Sequence, residues 1–415
     1  MASRSCSAKP VRAQHGPHVL VTGLGLVLPH GVGIRAAGAV FEGRSAVRHL
    51  GDLPGLAGAT GAALGSFTPP AGTEDLDRAI QFAVAAADEA WAGAGLASAG
   101  VDPARVAVVL SLSKGGIFAL ARQHERQGVE AEPWLAASPD AAARVVAARL
   151  GLRGPTCSPI TACASGGHAL VWAARLIERG AAEVAIVGAA EASLHPLILG
   201  SYRRMGVLAE ARGNPAASVR PFSRTRRGFA VGEGAGVLVL ESADSARRRG
   251  ATVLARVAGW ATGCHGGGLT RMEEGGESLA RLAADAMARA GVAPSEVDYV
   301  SAHGTATPDN DLAEARAIRA AFGPAADAVS VSSTKGAHGH LLGAAAAVEL
   351  VLAVLAMGRG EVPPTANLTD PDPAIALDCT PCAPRRRAIR CALKLASGFG
   401  GQAMAVCLAA PAGGS

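Results

Sequence analysis

Aromatic side chains are scarce: two Tyr, four Trp and eight Phe make up 3% of the 415 residues. So few rings offer little stacking surface to single-stranded bases. Lys plus Arg number 39 against 34 Asp plus Glu, a formal charge of +5 with no long run of one sign. Duplex binding and disordered acidic tails both need dense like charge, so nucleic acid is excluded as a partner. The eight cysteines, at 6, 157, 163, 264, 379, 382, 391 and 407, are too sparse for a disulfide framework and suit a reducing, cytoplasmic setting. Cys379-Thr-Pro-Cys382 has metal-like spacing, but no second such pair or nearby His completes a zinc site, and a plain loop is expected. Long hydrophobic runs are nearly absent. The stretch 19–28 is broken by Thr22, Gly23 and Gly25 with no clear cleavage site after it, which argues against a signal peptide. The stretch 341–358 carries Glu349 at its middle, which favours a helix buried in protein over a membrane span.

What is present is Ala and Gly: 49% of residues are apolar and 53 are Gly, without a three-residue period that would signal collagen. The length exceeds what one core usually organises, so two domains or two halves are expected. Residues 1–16 read as a loose tail. Beyond it the chain reads as built twice. An Ala-rich helix at 80–95 and a strand at 106–111 match a helix at 278–291 and a strand at 297–302. Pro159-Ile-Thr-Ala-Cys163 enters a small-residue helix, as Val329 to Lys335 does through Gly and His. Gly228-Phe229 before a closing strand is matched by Gly398-Phe399. Recurrence in one order implies an internal duplication, with halves 17–255 and 256–412 in an α/β fold of layered sheets and helices.

Cys163 opens a helix among small residues, Thr161-Ala-Cys-Ala-Ser-Gly-Gly167. Free N–H groups at a helix start hold a developing oxyanion, and the dipole is expected to favour thiolate. A cysteine in such a turn is by itself most often structural. Two further motifs change that: His303-Gly-Thr-Ala-Thr-Pro308 and Lys335-Gly-Ala-His338-Gly-His340-Leu-Leu-Gly343, each a Gly-rich exit from a strand. Zinc binding by Cys163, His303 and His340 is a rival, but close-spaced ligands are lacking, and nucleophilic thiol chemistry is the better reading.

These segments, with Ser333-Thr-Lys335, Gly398-Phe-Gly-Gly401, Val21-Thr-Gly-Leu-Gly25, Pro221-Phe-Ser-Arg-Thr-Arg-Arg-Gly-Phe229 and Glu233-Gly-Ala-Gly236, resemble the β-ketoacyl-acyl carrier protein synthases, and more narrowly the elongating, type II-like ketosynthases of fatty acid and polyketide assembly. The resemblance runs from about residue 18 to 410 and implies a thiolase-like, duplicated five-layer α-β-α-β-α fold. It implies that Cys163 takes an acyl group from a phosphopantetheine thioester. His303 and His340 then promote loss of CO2 from malonyl-acyl carrier protein and stabilise the enolate. By the same resemblance the oxyanion hole is the backbone N–H of Cys163 and Phe399, Lys335 is the motif's lysine with Glu314 as its charge partner, Thr305 and Thr307 touch the pantetheine arm, and Phe229 and Phe399 line or gate the pocket. No cofactor or metal is expected, phosphopantetheine arriving on the carrier protein. The expected partners are acyl carrier protein, malonyl and acyl thioesters, and a second subunit, as a homodimer or a heterodimer with a chain-length factor; no membrane is expected.

Three positions depart from the family pattern: His338, Gln402-Ala403 after Gly401, and Lys114 in Ser111-Leu-Ser-Lys-Gly-Gly-Ile117. A lysine near the acyl pocket costs several kcal/mol if buried alone. Lys114 is therefore expected to shorten the acyl tunnel, or to pair with an acidic group of the substrate or a partner subunit, or else to snorkel to solvent. The departures tilt the reading towards specialised polyketide or polyene synthesis. Arg203-Arg204 and Arg224-Thr-Arg226-Arg227 are candidates for docking an acidic carrier protein. Rival functions are a non-condensing decarboxylase or acyltransferase, and a chain-length-factor-like binding partner; the latter generally lacks the nucleophile. A thiolase would carry a second cysteine near the C-terminus, where Gly398-Phe-Gly-Gly401 stands instead.

Overall fold

The computed structural model describes residues 18–51, 53–125, 137–211, 213–266, 268–270 and 273–411. The expected tail at 1–16 lies outside the described residues. The first half contains β1 (Val19–Leu28), α1 (Arg78–Gly93), β2 (Val106–Leu112), α2 (Ala141–Arg149), β3 (Thr156–Cys157), α3 (Ser165–Glu178), β4 (Val184–Glu191) and β5 (Gly234–Ser242). The second repeats the order with β6 (Ala255–Cys264), α4 (Glu277–Ala290), β7 (Tyr299–Ser301), α5 (Pro308–Phe322), β8 (Ser330–Ser332), α6 (Ala345–Arg359), β9 (Cys391–Ser397) and β10 (Gln402–Ala409). Helix for helix and strand for strand, the duplication read from the sequence is there.

The pairing repeats as well. The first half runs β3-β2-β4-β5-β1 and the second β8-β7-β9-β10-β6. In each, the first three strands are parallel and the last two antiparallel. A short antiparallel contact, Val19–Val21 against Ala255–Val257, joins β1 to β6. Helices α1 and α2 cover one outer face, α4 and α5 the other, and α3 and α6 lie between, which gives the five layers.

Local sequence explains the layering. β2 and β4 are buried at every residue, because helices cover both faces. Gly23 and Gly25 let α1 lie directly on β1: a Cβ there would fall 2.2 Å from the Ala90 carbonyl oxygen and 1.8 Å from that of Ala86. α1 starts where the Asp77 side chain accepts from the Ala79 N–H, and α6 stops at Gly360, with φ 60°. The stretch Leu342–Arg359 has the length and hydropathy of a membrane span, yet 78% of it is buried between the sheets. Each fully buried Leu or Val there contributes about 1.5–3 kcal/mol. This central pair of helices is the floor on which the functional turns rest.

Candidate active site

The chain leaves β3, passes Pro159 and turns through a single 3-10 turn, Ala162–Ala164, into α3. Ala162 has φ 49°, a left-handed conformation that costs a non-glycine residue about 1–2 kcal/mol. Ser165 holds the turn: its Oγ accepts from the Thr161 N–H at 2.9 Å and donates to the Ala162 carbonyl at 2.7 Å. Gly166 presses on α6, since a Cβ there would lie 2.6 Å from that of Ala347. Cys163, at the crest, is 7% exposed.

The thiol is not poised as the helix dipole alone suggests. Burial pushes the Cys163 thiol up to about 11, with Lys114 and Lys335 pulling down and Glu191 and Glu349 pushing up. Desolvation is the largest influence on it, and the α-helix proper begins only at Ser165. At rest residue 163 is a thiol, a correction to the thiolate expected from sequence.

Both histidines come from strand exits of the second half. After β7, the N–H groups of His303 and Gly304 donate to the two carboxylate oxygens of Glu314, at 2.6 and 2.7 Å. Gly304 has φ 43°, and a Cβ on it would sit 2.4 Å from that of Ser333, so the exits of β7 and β8 are in contact. His340 is gripped through its backbone, donating to the Ala230 carbonyl at 2.7 Å and accepting from the Gly232 N–H at 2.9 Å. Its Nδ1 accepts from the Leu342 N–H at 3.2 Å, which assigns the ring proton to Nε2. Nδ1 of His303 is buried with no hydrogen-bond partner among the described residues, so nothing there fixes its tautomer. The two rings meet edge to face at 5.4 Å. Burial, and then the Lys335 charge, hold both imidazoles well below their ordinary value, so both are neutral.

Lys335 is fully buried. Its Nζ donates to the His303 carbonyl at 2.5 Å and is ion-paired with Glu349 of α6. Glu314 is therefore not its charge partner, as the family resemblance implied. The Glu314 carboxylate is spent on two backbone amides, and burial pushes it up to about 7. The other oxygen of Glu349 faces Lys394 of β9 at 2.5 Å.

One cleft is walled by Cys163, His303 and His340, by Phe229 and Phe399, and by Thr305 and Thr307. The two threonine hydroxyls bond each other at 2.8 Å, and Phe229 packs edge-on against His340 at 4.9 Å. A Cβ at Gly398 would lie 2.9 Å from the Thr161 carbonyl oxygen and 3.0 Å from the Cys163 nitrogen, so glycine keeps the space before the nucleophile's N–H open. Phe399 follows in that loop, 6.3 Å from Tyr202.

Lys335 and Glu314 stand behind the cleft, and Lys114 is not among its lining residues. Lys114 bonds Ser113 at 2.8 Å and Glu191 at 3.5 Å, so an acidic partner lies within its own chain. His338 is buried, bonded to Thr334 and to the Gly339 carbonyl, and desolvation holds it down to about 3. Arg226 is buried on Asp372, which removes it from the expected docking patch, while Arg224 pairs with Asp370 and stays exposed. Arg203 and Arg227 line an adjoining cleft. No group of three His, Cys, Asp or Glu among the described residues is placed to hold a metal. The sequence reading missed Lys394, although a charge inside Cys391-Ala-Leu-Lys-Leu-Ala-Ser397 breaks an otherwise apolar strand.

This arrangement suits thioester chemistry, and comparison with known proteins agrees. Residues 17–246 match the family described as beta-ketoacyl synthase, N-terminal domain, and residues 254–369 the beta-ketoacyl synthase, C-terminal domain. The chain belongs to the beta-ketoacyl synthase family. It is 39% identical to a putative polyketide beta-ketoacyl synthase 1 of Streptomyces cyaneus, across 95% of this chain and 98% of that one. It is 38% identical to nodulation protein E of Rhizobium meliloti (strain 1021), across 87% and 90%. A ketosynthase bound to the hexaketide and solved in complex with its type II PKS acyl-carrier protein superposes with a TM-score of 0.90 at 31% identity, covering 96% of this chain and 100% of that one. The ishigamide ketosynthase/chain length factor gives 0.87 at 29%, with coverage of 96% and 100%. These likenesses agree with the thiolase-like fold expected of the chain.

Proposed function

We propose that the chain is a polyketide β-ketoacyl synthase that joins a Cys163-bound acyl group to malonyl-acyl carrier protein by decarboxylative Claisen condensation. The observation that carries the reading is the meeting of Cys163 with two neutral imidazoles in one cleft. As an acyl thioester arrives, the Cys163 sulfur attacks its carbonyl carbon while the thiol proton passes to a neutral imidazole; His303, with its unfixed tautomer, is the apt acceptor. The tetrahedral oxyanion lies at the N–H groups of Cys163 and Phe399. Its collapse breaks the old C–S bond, and the proton leaves with the pantetheine thiol. Malonyl thioester then takes its place. Its C–C bond to the carboxylate breaks, CO2 departs, and the electron pair becomes an enolate whose oxygen accepts from the His340 Nε2–H. The enolate carbon attacks the acyl-Cys carbonyl, the C–S bond to Cys163 breaks, and the product leaves two carbons longer while the sulfur departs as thiolate and takes a proton from water to restore the thiol.

Carrier protein is the natural source of both thioesters, and Arg203 and Arg227 offer an acidic partner positive charge beside the cleft. A second subunit of the same fold, a chain-length factor or another copy, is supported by the β3 edge. Ile160, three residues past that strand, is 50% exposed; elsewhere Trp172 of α3 and Leu197 are 47% and 62% exposed. Intact-mass measurement after incubation with acyl-carrier protein, then with malonyl-carrier protein, tests the whole reading. An acyl adduct on Cys163 that disappears as extended product forms supports it. CO2 release without a new C–C bond makes the protein a decarboxylase, and no adduct at all makes it a chain-length-factor-like partner.

A further inference from the structure

Lys394 lies in the middle of β9 between Leu393 and Leu395 and is fully buried. An ammonium there has lost all its water, so the protein must supply its acceptors. It donates to two, the Ala302 carbonyl at 3.0 Å and the Ser301 carbonyl at 3.3 Å, and is ion-paired with the Glu349 carboxylate at 2.5 Å. Those two carbonyls immediately precede His303, whose own carbonyl is held by Lys335. Two lysines thus clamp three consecutive carbonyls of the strand exit that carries His303, and one carboxylate of α6 holds both lysines.

We propose that Lys394 is a positioning residue for the histidine pair, fixing the backbone ahead of His303 and adding a second positive charge beneath the enolate oxygen. The inference rests on the condensing chemistry given to Cys163, His303 and His340. The charged and titratable groups around Lys394 come from every neighbouring element: Glu349 from α6, Lys335 from the turn after β8, Glu314 from α5, His303 after β7, and His340. Burial, helped by Lys335 and opposed by Glu349 and Glu314, holds its ammonium down at about 8. It is protonated at neutral pH and loses its proton as pH rises through that value, which removes the second charge from under the cleft. The half-reaction that makes the enolate feels this loss. Acyl transfer to Cys163 feels it less: His303 takes the thiol proton there too, but the oxyanion is held by the Cys163 and Phe399 amides.

The test uses the full chain with its acyl-carrier protein and reads the two half-reactions separately from roughly pH 6.5 to 9.5. Acylation of Cys163 is followed by intact mass, and CO2 release from malonyl-carrier protein by coupled assay. Lys394→Met is expected to lower kcat for CO2 release by about tenfold or more and to lower the acylation rate by distinctly less. It is also expected to abolish the alkaline limb that the wild-type profile shows near pH 8. Lys394→Gln, which keeps amide donors but no charge, is expected to lose the limb as well. Equal falls in both half-reactions, or CO2 release within twofold of wild type, would overturn the proposal. If Lys394→Met fails to fold, Lys394→Gln and the wild-type profile decide, and a wild-type profile flat across that range overturns it. A wild type that neither acylates Cys163 nor releases CO2 brings down the ketosynthase reading itself, a result distinct from an active wild type with an indifferent variant.

Discussion

A cysteine nucleophile that is a thiol at rest makes a measurable promise. Burial moves Cys163 from an ordinary 9.0 to about 11. Two pH units correspond to about 3 kcal/mol against the thiolate. At pH 7 roughly one molecule in ten thousand is then ionised, against roughly one in a hundred for an unshifted thiol. Alkylation by iodoacetamide, which requires thiolate, should therefore run about a hundredfold slower at Cys163 than at a model thiol, and accelerate about tenfold per pH unit up to about pH 10. Peptide-level mass spectrometry reads this site apart from the exposed Cys264 and Cys382, with Cys163→Ala as the blank. The Lys114 charge is the foremost influence opposing burial, so Lys114→Met should slow labelling further. A labelling rate flat from about pH 6 to 8 would refute the reasoning, because it would mean that a thiolate–imidazolium pair already exists before substrate arrives.

Other consequences are equally direct. Glu349→Gln strands two buried ammonium groups and should cost about 3–5 kcal/mol in denaturant unfolding, and the double variant with Lys394→Met should cost less. Gly398→Ala drives a methyl against the backbone of Thr161 and Cys163, so kcat should fall about ten- to a hundredfold in a steady-state condensation assay and the denaturant midpoint should fall with it. Glu314 has its folded value raised by burial from 4.5 to about 7. The native state thus holds its proton more tightly, and this group's contribution to stability falls as pH rises from about 4.5 through 7; Glu314→Gln should flatten that part of the stability profile.

The sequence made the duplication legible because each half repeats helix, strand and turn with the same small-residue punctuation, and those signals are local. Cys163, His303 and His340 were legible for the same reason: each follows a buried strand in a Gly-rich exit. What stayed hidden depends on three-dimensional neighbours. The partner of Lys335 is fourteen residues along on α6, and its choice over Glu314 follows from two amides already claiming that carboxylate. The state of the Cys163 thiol is a balance between burial and a dipole, and only the depth of the cleft decides it. Lys114 was conspicuous in the chain, but its pairing with Glu191 needs β2 and β4 side by side, which no local pattern announces.

The duplication also explains why one half holds the nucleophile. The turn at Ala162–Ala164 recurs at Leu342–Ala344, even to the left-handed first residue, with φ 49° at Ala162 and 46° at Leu342. The counterpart of Cys163 is thus Gly343. In the first turn, Gly398 after β9 leaves the space before the Cys163 N–H empty. In the second, Glu191 at the end of β4, the strand equivalent to β9, fills the matching place and accepts from the Gly343 N–H at 3.1 Å. A carboxylate thus already occupies the anion position of the silent turn. A Cβ at 343 would also fall 2.4 Å from that of Ser113, so this turn has no room for a nucleophile. Freed from chemistry, its Leu342 N–H takes the Nδ1 of His340 and so turns Nε2–H into a donor. One ancestral turn supplies the sulfur, and its duplicate sets the proton on the imidazole that faces it.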